Sequence, residues 1–199
     1  PLSAITHAGY LLLEEGSCPG STRLIRIIRD NAERLDRMVR DVLELSRRDR
    51  VQPQEIILSS FLNSFVEEFA QTSGIQREVI AVEVPEGIGV EFDRVHLNQV
   101  IWNLMRNAWR HCRKEAGSLR ISVIRRLNQI ELHIADDGDG VSKNQQSQLF
   151  EPFFTTFSGG TGLGLYIAKE LCAANGASLE YVDRLKGADF RILWQLNQG

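Results

Sequence analysis

The sequence predicts an α+β chain in two parts. An N-terminal two-helix hairpin is followed by an α/β sandwich with one mixed sheet and its helices on one face. Three patterns carry that expectation. A heptad seam runs through residues 24–45, stretches of period 2 and period 3.6 intermix from residue 55 onward, and short strand pairs close the chain. The boundary falls in the polar linker Gln52-Pro53-Gln54, which leaves residues 1–51 as the hairpin domain and residues 55–199 as the second domain.

In the first part, Leu2, Ile5, Ala8 and Leu12 stand at helical spacing, Leu11 and Leu13 widen the stripe, and Gly16-Ser17-Cys18-Pro19-Gly20 ends it in a turn. Ser21 and Thr22 are N-cap candidates for a second helix. Along it Leu24, Ile28, Asn31, Leu35, Met38, Val42 and Leu45 alternate steps of four and three, with a solvated face of mixed charge between them. Two helices cannot bury both stripes alone, and Asn31 in the seam resembles a polar register-setter. A four-helix bundle made from two copies, through residues 1–50, is therefore expected. A hairpin packed only on its own chain is the alternative. The pattern fades through Ser46-Arg47-Arg48-Asp49-Arg50.

In the second part, residues 55–58 read as a short strand, and Ser59-Ser60 as caps for a helix bearing Phe61, Leu62, Phe65, Val66 and Phe69. Strands are expected over 78–84 and 89–92. Asp93 caps a long helix to about Arg113, with Val95, Val100, Ile101, Leu104 and Ala108 on its apolar face. Residues 119–125 and 129–135 alternate as a hairpin around Leu127-Asn128. A helix to about Asn175 and strands over 178–182 and 188–196 complete the chain.

Composition narrows the function. With 199 residues, 43% of them hydrophobic, the chain can bury a core. A net charge of -3 leaves no electrostatic footprint for DNA or RNA, so no nucleic acid partner is expected. Cys18, Cys112 and Cys172 are widely spaced and form no Cys-x-x-Cys pair, which indicates neither a disulfide framework nor zinc and suits a cytosolic location. No apolar run approaches the roughly 20 residues that span a bilayer. The opening Pro1-Leu2-Ser3 has no methionine, so a fragment is expected, with any membrane link in upstream segments.

The chemistry gathers on Ser158 to Leu165. Glycines at 159, 160, 162 and 164 let the backbone bend and approach a ligand, and the helical pattern that follows supplies free N–H groups. This is a phosphate cradle, with a plain glycine hinge as the bland alternative. A dinucleotide loop would need Gly-x-Gly-x-x-Gly after a strand and a Walker loop a terminal Gly-Lys-Ser/Thr; neither is present.

Three further segments accompany it. Asn103 and Asn107 lie four residues apart on the long helix, with Arg110 and His111 one turn on. An unpaired buried amide costs about 1 to 3 kcal/mol, so two of them point to a polar cavity, and an Asn oxygen suits a magnesium shell. Asp136-Asp137-Gly138-Asp139-Gly140 follows a strand, where a fixed carboxylate can accept from an exocyclic amine while glycines let the backbone lie against a base, as adenine requires. A calcium loop fits worse, because the twelfth position from Asp136 is Ser147. Leu149-Phe150-Glu151-Pro152-Phe153-Phe154-Thr155-Thr156 suggests a lid anchored by aromatic contact, or simple core packing.

In order, Asn-x-x-x-Asn, Asp-x-Gly-x-Gly, Phe-Glu-Pro-Phe-Phe and Gly-Thr-Gly-Leu-Gly-Leu resemble the N, G1, F and G2 boxes of bacterial sensor histidine kinases. Pro1-Leu2-Ser3-Ala4-Ile5 resembles the tail of the H box, and Val42-Leu43-Glu44-Leu45-Ser46-Arg47 the end of the second dimerisation helix. Trp102, Phe153-Phe154-Thr155-Thr156 and residues 165–172 are most similar to the PilS-like kinases of pilus regulation.

The resemblance implies a GHKL, or Bergerat-type, catalytic domain that binds ATP and Mg2+. It implies that Asn107 binds the metal, that Asn103, Arg110 and His111 lie by the phosphates, and that Asp136 reads the adenine amino group in a pocket shaped by Gly138 and Gly140. Phe153, Gly160, Thr161, Gly162, Leu163, Gly164 and Leu165 carry the lid and phosphate contacts. Gly159-Gly160 stands where many relatives place a Lys or Arg. The acceptor histidine is expected five residues before Pro1; His7, His96, His111 and His133 lack the family's following acid and Pro-Leu.

The implied reaction is γ-phosphoryl transfer from MgATP to that histidine and then to an aspartate of a response-regulator receiver domain. The implied setting is the cytoplasmic part of a bacterial inner-membrane protein. A related ATPase, marked by rapid release of free phosphate, and a non-catalytic nucleotide-sensing dimerisation module, marked by no response to MgATP, are the alternatives.

Overall fold

The computed structural model describes residues 2–14, 19–45, 50–157 and 159–196. Parts of the expected turn at 16–20 and of the fading helix end at 46–50, together with Ser158, lie outside the described residues. Helix α1 spans Leu2–Glu14 and α2 spans Pro19–Leu45. Ser21 and Thr22 therefore stand inside α2 rather than capping it, because a proline in the first turn gives up an N–H that no helix bond would use.

The two helices approach closely at Gly9, where an added Cβ would meet Arg29 Cβ at 3.6 Å and Ile25 Cγ2 at 3.8 Å. Ile25 and Ala32 are buried between them. The heptad seam is not: Ile28, Leu35 and Val42 are each at least half exposed, and the Asn31 amide donates to the carbonyl of Ile27 on its own helix.

The second part begins at β1, Pro53–Ile57, which pairs antiparallel with β3, Gly89–Asp93. The strand starts inside the expected linker because Gln52 N donates to the Asp93 carboxylate at 2.8 Å, drawing Pro53 into register with Asp93. Helix α3, Leu58–Ser73, starts directly at the end of β1, its first amide donating to Ile88 O. Ser59 and Ser60 are thus inside the helix; Ser59 Oγ donates to Glu86 and Ser60 Oγ to Ile57 O.

The remaining strands form a five-stranded mixed sheet in the order β2-β4-β5-β7-β6, separate from the β1-β3 ribbon. Its members are β2 (Ile80–Glu83), β4 (Leu119–Arg125), β5 (Gln129–Asp136), β6 (Ala177–Val182) and β7 (Asp189–Gln195). Among the described residues β2 pairs in parallel with β4, and the other neighbours pair antiparallel. The expected strand over 78–84 is shortened by a 3-10 turn at Arg77–Val79.

Helices α3, α4 (Arg94–His111) and α6 (Gly164–Ala174) pack on the sheet face that presents Ile130, Leu132, Ile134, Phe190 and Ile192. A single turn, α5 (Lys143–Gln146), adds an element that periodicity did not predict, being too short to show a face. Asp93 caps α4 as expected, its Oδ1 accepting from Val95 N and His96 N. Trp102 on α4 packs against Phe65 and Phe69 of α3, with ring centroids 5.6 and 5.0 Å apart. At the far end Asn175 ties α6 to α4, accepting from Asp93 N and meeting the His96 ring at 3.1 Å. These ties fix the rotation of α4 about its axis.

The opposite sheet face is a polar network. Buried Glu131 takes hydrogen bonds from Arg126 and Gln129 and meets His133 at 3.1 Å; His133 in turn faces Asp189 at 3.2 Å. Burial pushes the Glu131 carboxyl up, but these partners outweigh it and hold its pKa at about 2, against an ordinary 4.5. A depressed acid contributes stability above its unfolded pKa and loses it as the pH falls through its folded value. Urea titrations should therefore show wild-type stability declining between pH 4.5 and about 2 through this group. Glu131→Ala should lose about 2 kcal/mol at neutral pH, as for hydrogen bonds to a charged acceptor, and should flatten that part of the acid limb.

Candidate functional site

One cavity of about 260 Å³ opens between α4, the end of β5, the segment before α6 and the C-terminal half of α2. Of the expected residues, Asn103, Asn107, Arg110, His111, Asp136, Gly140, Gly160, Thr161, Gly162, Gly164 and Leu165 line it. Three do not. Gly138 is buried behind Asp136, Leu163 packs into the core, and Phe153 is exposed while its neighbour Phe154 faces the hollow.

Asp136 is held by geometry. Its Oδ1 accepts from Gly138 N at 2.9 Å and from Ala188 N at 3.2 Å, and its own amide donates to Ala188 O at 2.9 Å. Burial pushes its pKa up, and the two amides and the nearby His111 oppose the shift. The second carboxylate oxygen keeps its acceptor capacity toward the cavity. The neighbouring Asp137 accepts instead from Arg113 N and Ser118 Oγ, and so fastens the strand end to the segment after α4.

Glycines make this approach possible. At Gly187 φ is +75°, and a Cβ would stand 1.8 Å from the Asp136 carbonyl oxygen; at Gly138 a Cβ would stand 2.3 Å from His111 O. The loop before α6 folds back in the same way, since a Cβ on Gly162, at φ +72°, would meet the Phe153 carbonyl carbon at 2.4 Å.

On α4, Asn103 and Asn107 are half-buried, and neither side-chain amide has a hydrogen-bond partner among the described residues. Gly164 at the start of α6 lies against Asn103, its virtual Cβ 3.7 Å from the amide oxygen. The N–H groups of that first helical turn therefore open beside the amides, a site suited to anions. Arg110 stacks on Phe157 at 4.5 Å; its pKa is lowered by desolvation first and by the nearness of Arg37 and Arg106 second.

Sequence reasoning missed several lining residues. Arg106 follows Asn103 by less than a turn and was legible from helical spacing. Ala188 follows Gly187, a turn signal before a strand, but nothing local marks Asp136 as its neighbour. Arg37 and Asp41 read as a solvated helix face, because their partners Gly159 and Thr161 are 122 and 120 residues away.

Two glycines that both stand at positive φ separate strain from collision. Gly74 has φ +64° and nothing within 4 Å of a virtual Cβ, so Gly74→Ala should cost about 1 kcal/mol in urea unfolding. Gly187→Ala adds a backbone collision and should cost roughly 3 kcal/mol or more, together with loss of any ligand that depends on Asp136.

Residues 92–198 match the family described as histidine kinase-, DNA gyrase B- and HSP90-like ATPase. The sensor protein kinase PilS of Pseudomonas aeruginosa is 38% identical over 201 residues, covering 96% of this chain and 37% of PilS. The crystal structure of full-length ShkA in complex with AMPPNP superposes with a TM-score of 0.70 at 25% identity, over 97% of this chain and 42% of that one. Histidine kinase ThkA, in complex with the response regulator protein TrrA, superposes at 0.71 and 22% identity, over 99% and 58%. The chain thus spans well under half the length of PilS. With the ordered boxes gathered on one hollow and more than half the chain matched, the chain belongs to the histidine kinase-, DNA gyrase B- and HSP90-like ATPase family, with a GHKL ATP-binding domain similar to those of sensor histidine kinases.

Proposed function

We propose that this chain is the kinase core of a two-component sensor, transferring the γ-phosphoryl group of MgATP to an acceptor histidine that is not among these 199 residues. The phosphoryl group then passes to an aspartate of a response-regulator receiver domain. The observation that carries the reading is that Asp136, at a strand end, and Asn107, on a separate helix, line the same hollow.

In this reading the free oxygen of Asp136 accepts from the adenine amino group, while Gly138 and Gly140 let the backbone lie close to the base. Asn103, Arg110 and His111 orient the phosphates. Gly160, Thr161, Gly162, Gly164 and Leu165 close the loop over them, with Leu163 as its core anchor and Phe153 at its hinge. The Asn107 amide, half-buried with no side-chain partner among the described residues, fits a magnesium ion. No group of three His, Cys, Asp or Glu residues is placed to hold a metal among the described residues, so the ion would keep water and phosphate ligands, as Mg2+ commonly does. When bound, Mg2+ supplies charge neutralisation at the phosphate oxygens. The chain's own residues contribute position and fixed dipoles: the γ P–O bond breaks, the imidazole N–P bond forms in line, and ADP leaves.

The half-exposed seam of Ile28, Leu35 and Val42 supports a homodimer through residues 1–50. The ThkA–TrrA complex supports a response-regulator partner. No helix among the described residues is long and apolar enough to cross a membrane, and a cytoplasmic position in a longer inner-membrane protein is part of the proposal.

MgATP at about a hundred times its Kd should stabilise the chain by about 2.7 kcal/mol, read as a rise in Tm of roughly 5 to 10 °C. Mixed with a dimerisation domain that bears the acceptor histidine, the chain should place acid-labile label from the γ-phosphate on that domain. Asn107→Asp and Asp136→Asn should abolish the labelling. Label that survives both substitutions, or rapid release of free phosphate without labelling, would overturn the proposal.

A further inference from the structure

Three arginines from two parts of the chain converge on one end of the cavity. Arg106 and Arg110 come from α4 and Arg37 from α2, and all three border the hollow. Arg110 lies within electrostatic reach of the other two. Among the described residues, none of the three is ion-paired with a carboxylate. Like charges gathered without an ion-paired carboxylate repel, and a bound anion lowers that cost.

The α4 pair rests on aromatic faces, Arg106 at 4.9 Å over Trp102 and Arg110 at 4.5 Å over Phe157, which positions their charges without neutralising them. Arg37 is positioned by its backbone partners: Nη1 donates to Gly159 O at 2.9 Å and Nε to Glu33 O at 3.2 Å. A guanidinium has five N–H donors, so three remain on a group that borders the cavity. One turn on, the Asp41 carboxylate is engaged by the Thr161 hydroxyl at 2.8 Å, and that hydroxyl accepts in turn from Leu163 N at 3.3 Å. The hairpin helix thus grips the glycine loop at Gly159 and Thr161 and sets a cation beside the start of α6.

We propose that Arg37 is a binding residue of the nucleotide site: the hairpin supplies the third cation that holds the polyphosphate. The inference rests on the nucleotide reading of the cavity. It makes hairpin docking and phosphate occupancy thermodynamically linked, since an anion shared by α2 and α4 strengthens their contact as it binds.

The test is isothermal titration of the 199-residue chain at low salt with MgATP, and with AMP by competition. Arg37 is exposed, so Arg37→Ala folds, which circular dichroism checks. Arg37→Ala should weaken MgATP about tenfold, as one charge-assisted hydrogen bond does, and leave AMP within about twofold. Arg37→Lys, which keeps the charge, should recover most of the loss. Asp41→Asn, which removes no cation and keeps an oxygen that can accept from the Thr161 hydroxyl, should not weaken MgATP. An unchanged MgATP affinity in Arg37→Ala, or an equal loss for AMP, would overturn the inference. So would an Asp41→Asn variant that reproduces the selective loss. If Asp136→Asn weakens both nucleotides and Arg37→Ala neither, the nucleotide reading stands and only the role of Arg37 falls. A wild-type chain that binds no nucleotide ends both.

Discussion

The site depends on one close approach, that of the turn before β7 to the end of β5. Asp136 can be buried as a carboxylate only because two backbone amides, from Gly138 and Ala188, meet one of its oxygens. The Ala188 amide arrives only because Gly187 has no Cβ where the Asp136 carbonyl lies. A buried acid without such partners would take up a proton and lose its value as an acceptor. The raised pKa of Asp136 records the cost of burial that the amides offset in part.

The rest of the domain serves to bring α4 to that strand end. Trp102 locks α4 onto α3, and Asn175 joins the start of α4 to the end of α6. With its apolar residues Leu97, Val100, Ile101 and Leu104 fully buried against the sheet, α4 has no freedom to turn Asn103 and Asn107 away from the cavity. The outer sheet face, where Glu131 and His133 meet Asp189 and Arg191, links β5 to β7 by side-chain partners and holds those strands in register from the other side. The one domain thus has a dry face that orients and a polar face that stabilises.

The hairpin belongs to this arrangement more closely than its heptads suggest. Its apolar seam stays open, while a neighbouring polar face of α2 reaches the glycine loop through Arg37 and Asp41. One helix thereby presents one apolar surface that stays exposed and another that faces the cavity. Rotation or displacement of α2 would alter both.

Most secondary elements were legible in the chain, because periodicity reports which face of a segment is apolar and glycine, proline and capping residues report where it stops. The Asp93 cap, the four boxes and their order needed nothing more. Boundaries failed where a distant partner intervened: Pro53 was drawn into a strand by Asp93, and Leu58 into a helix by the carbonyl of Ile88. Residue types and spacing therefore determined the class of fold, the helix bearing the amides and the acid that ends β5, since these are properties of local sequence. Only the folded chain decided that Phe154 rather than Phe153 faces the hollow, that Gly187 shapes Asp136, and that Arg37 joins the site. Each of these is a contact between segments whose separation along the chain, or whose direction in a left-handed turn, no local pattern encodes.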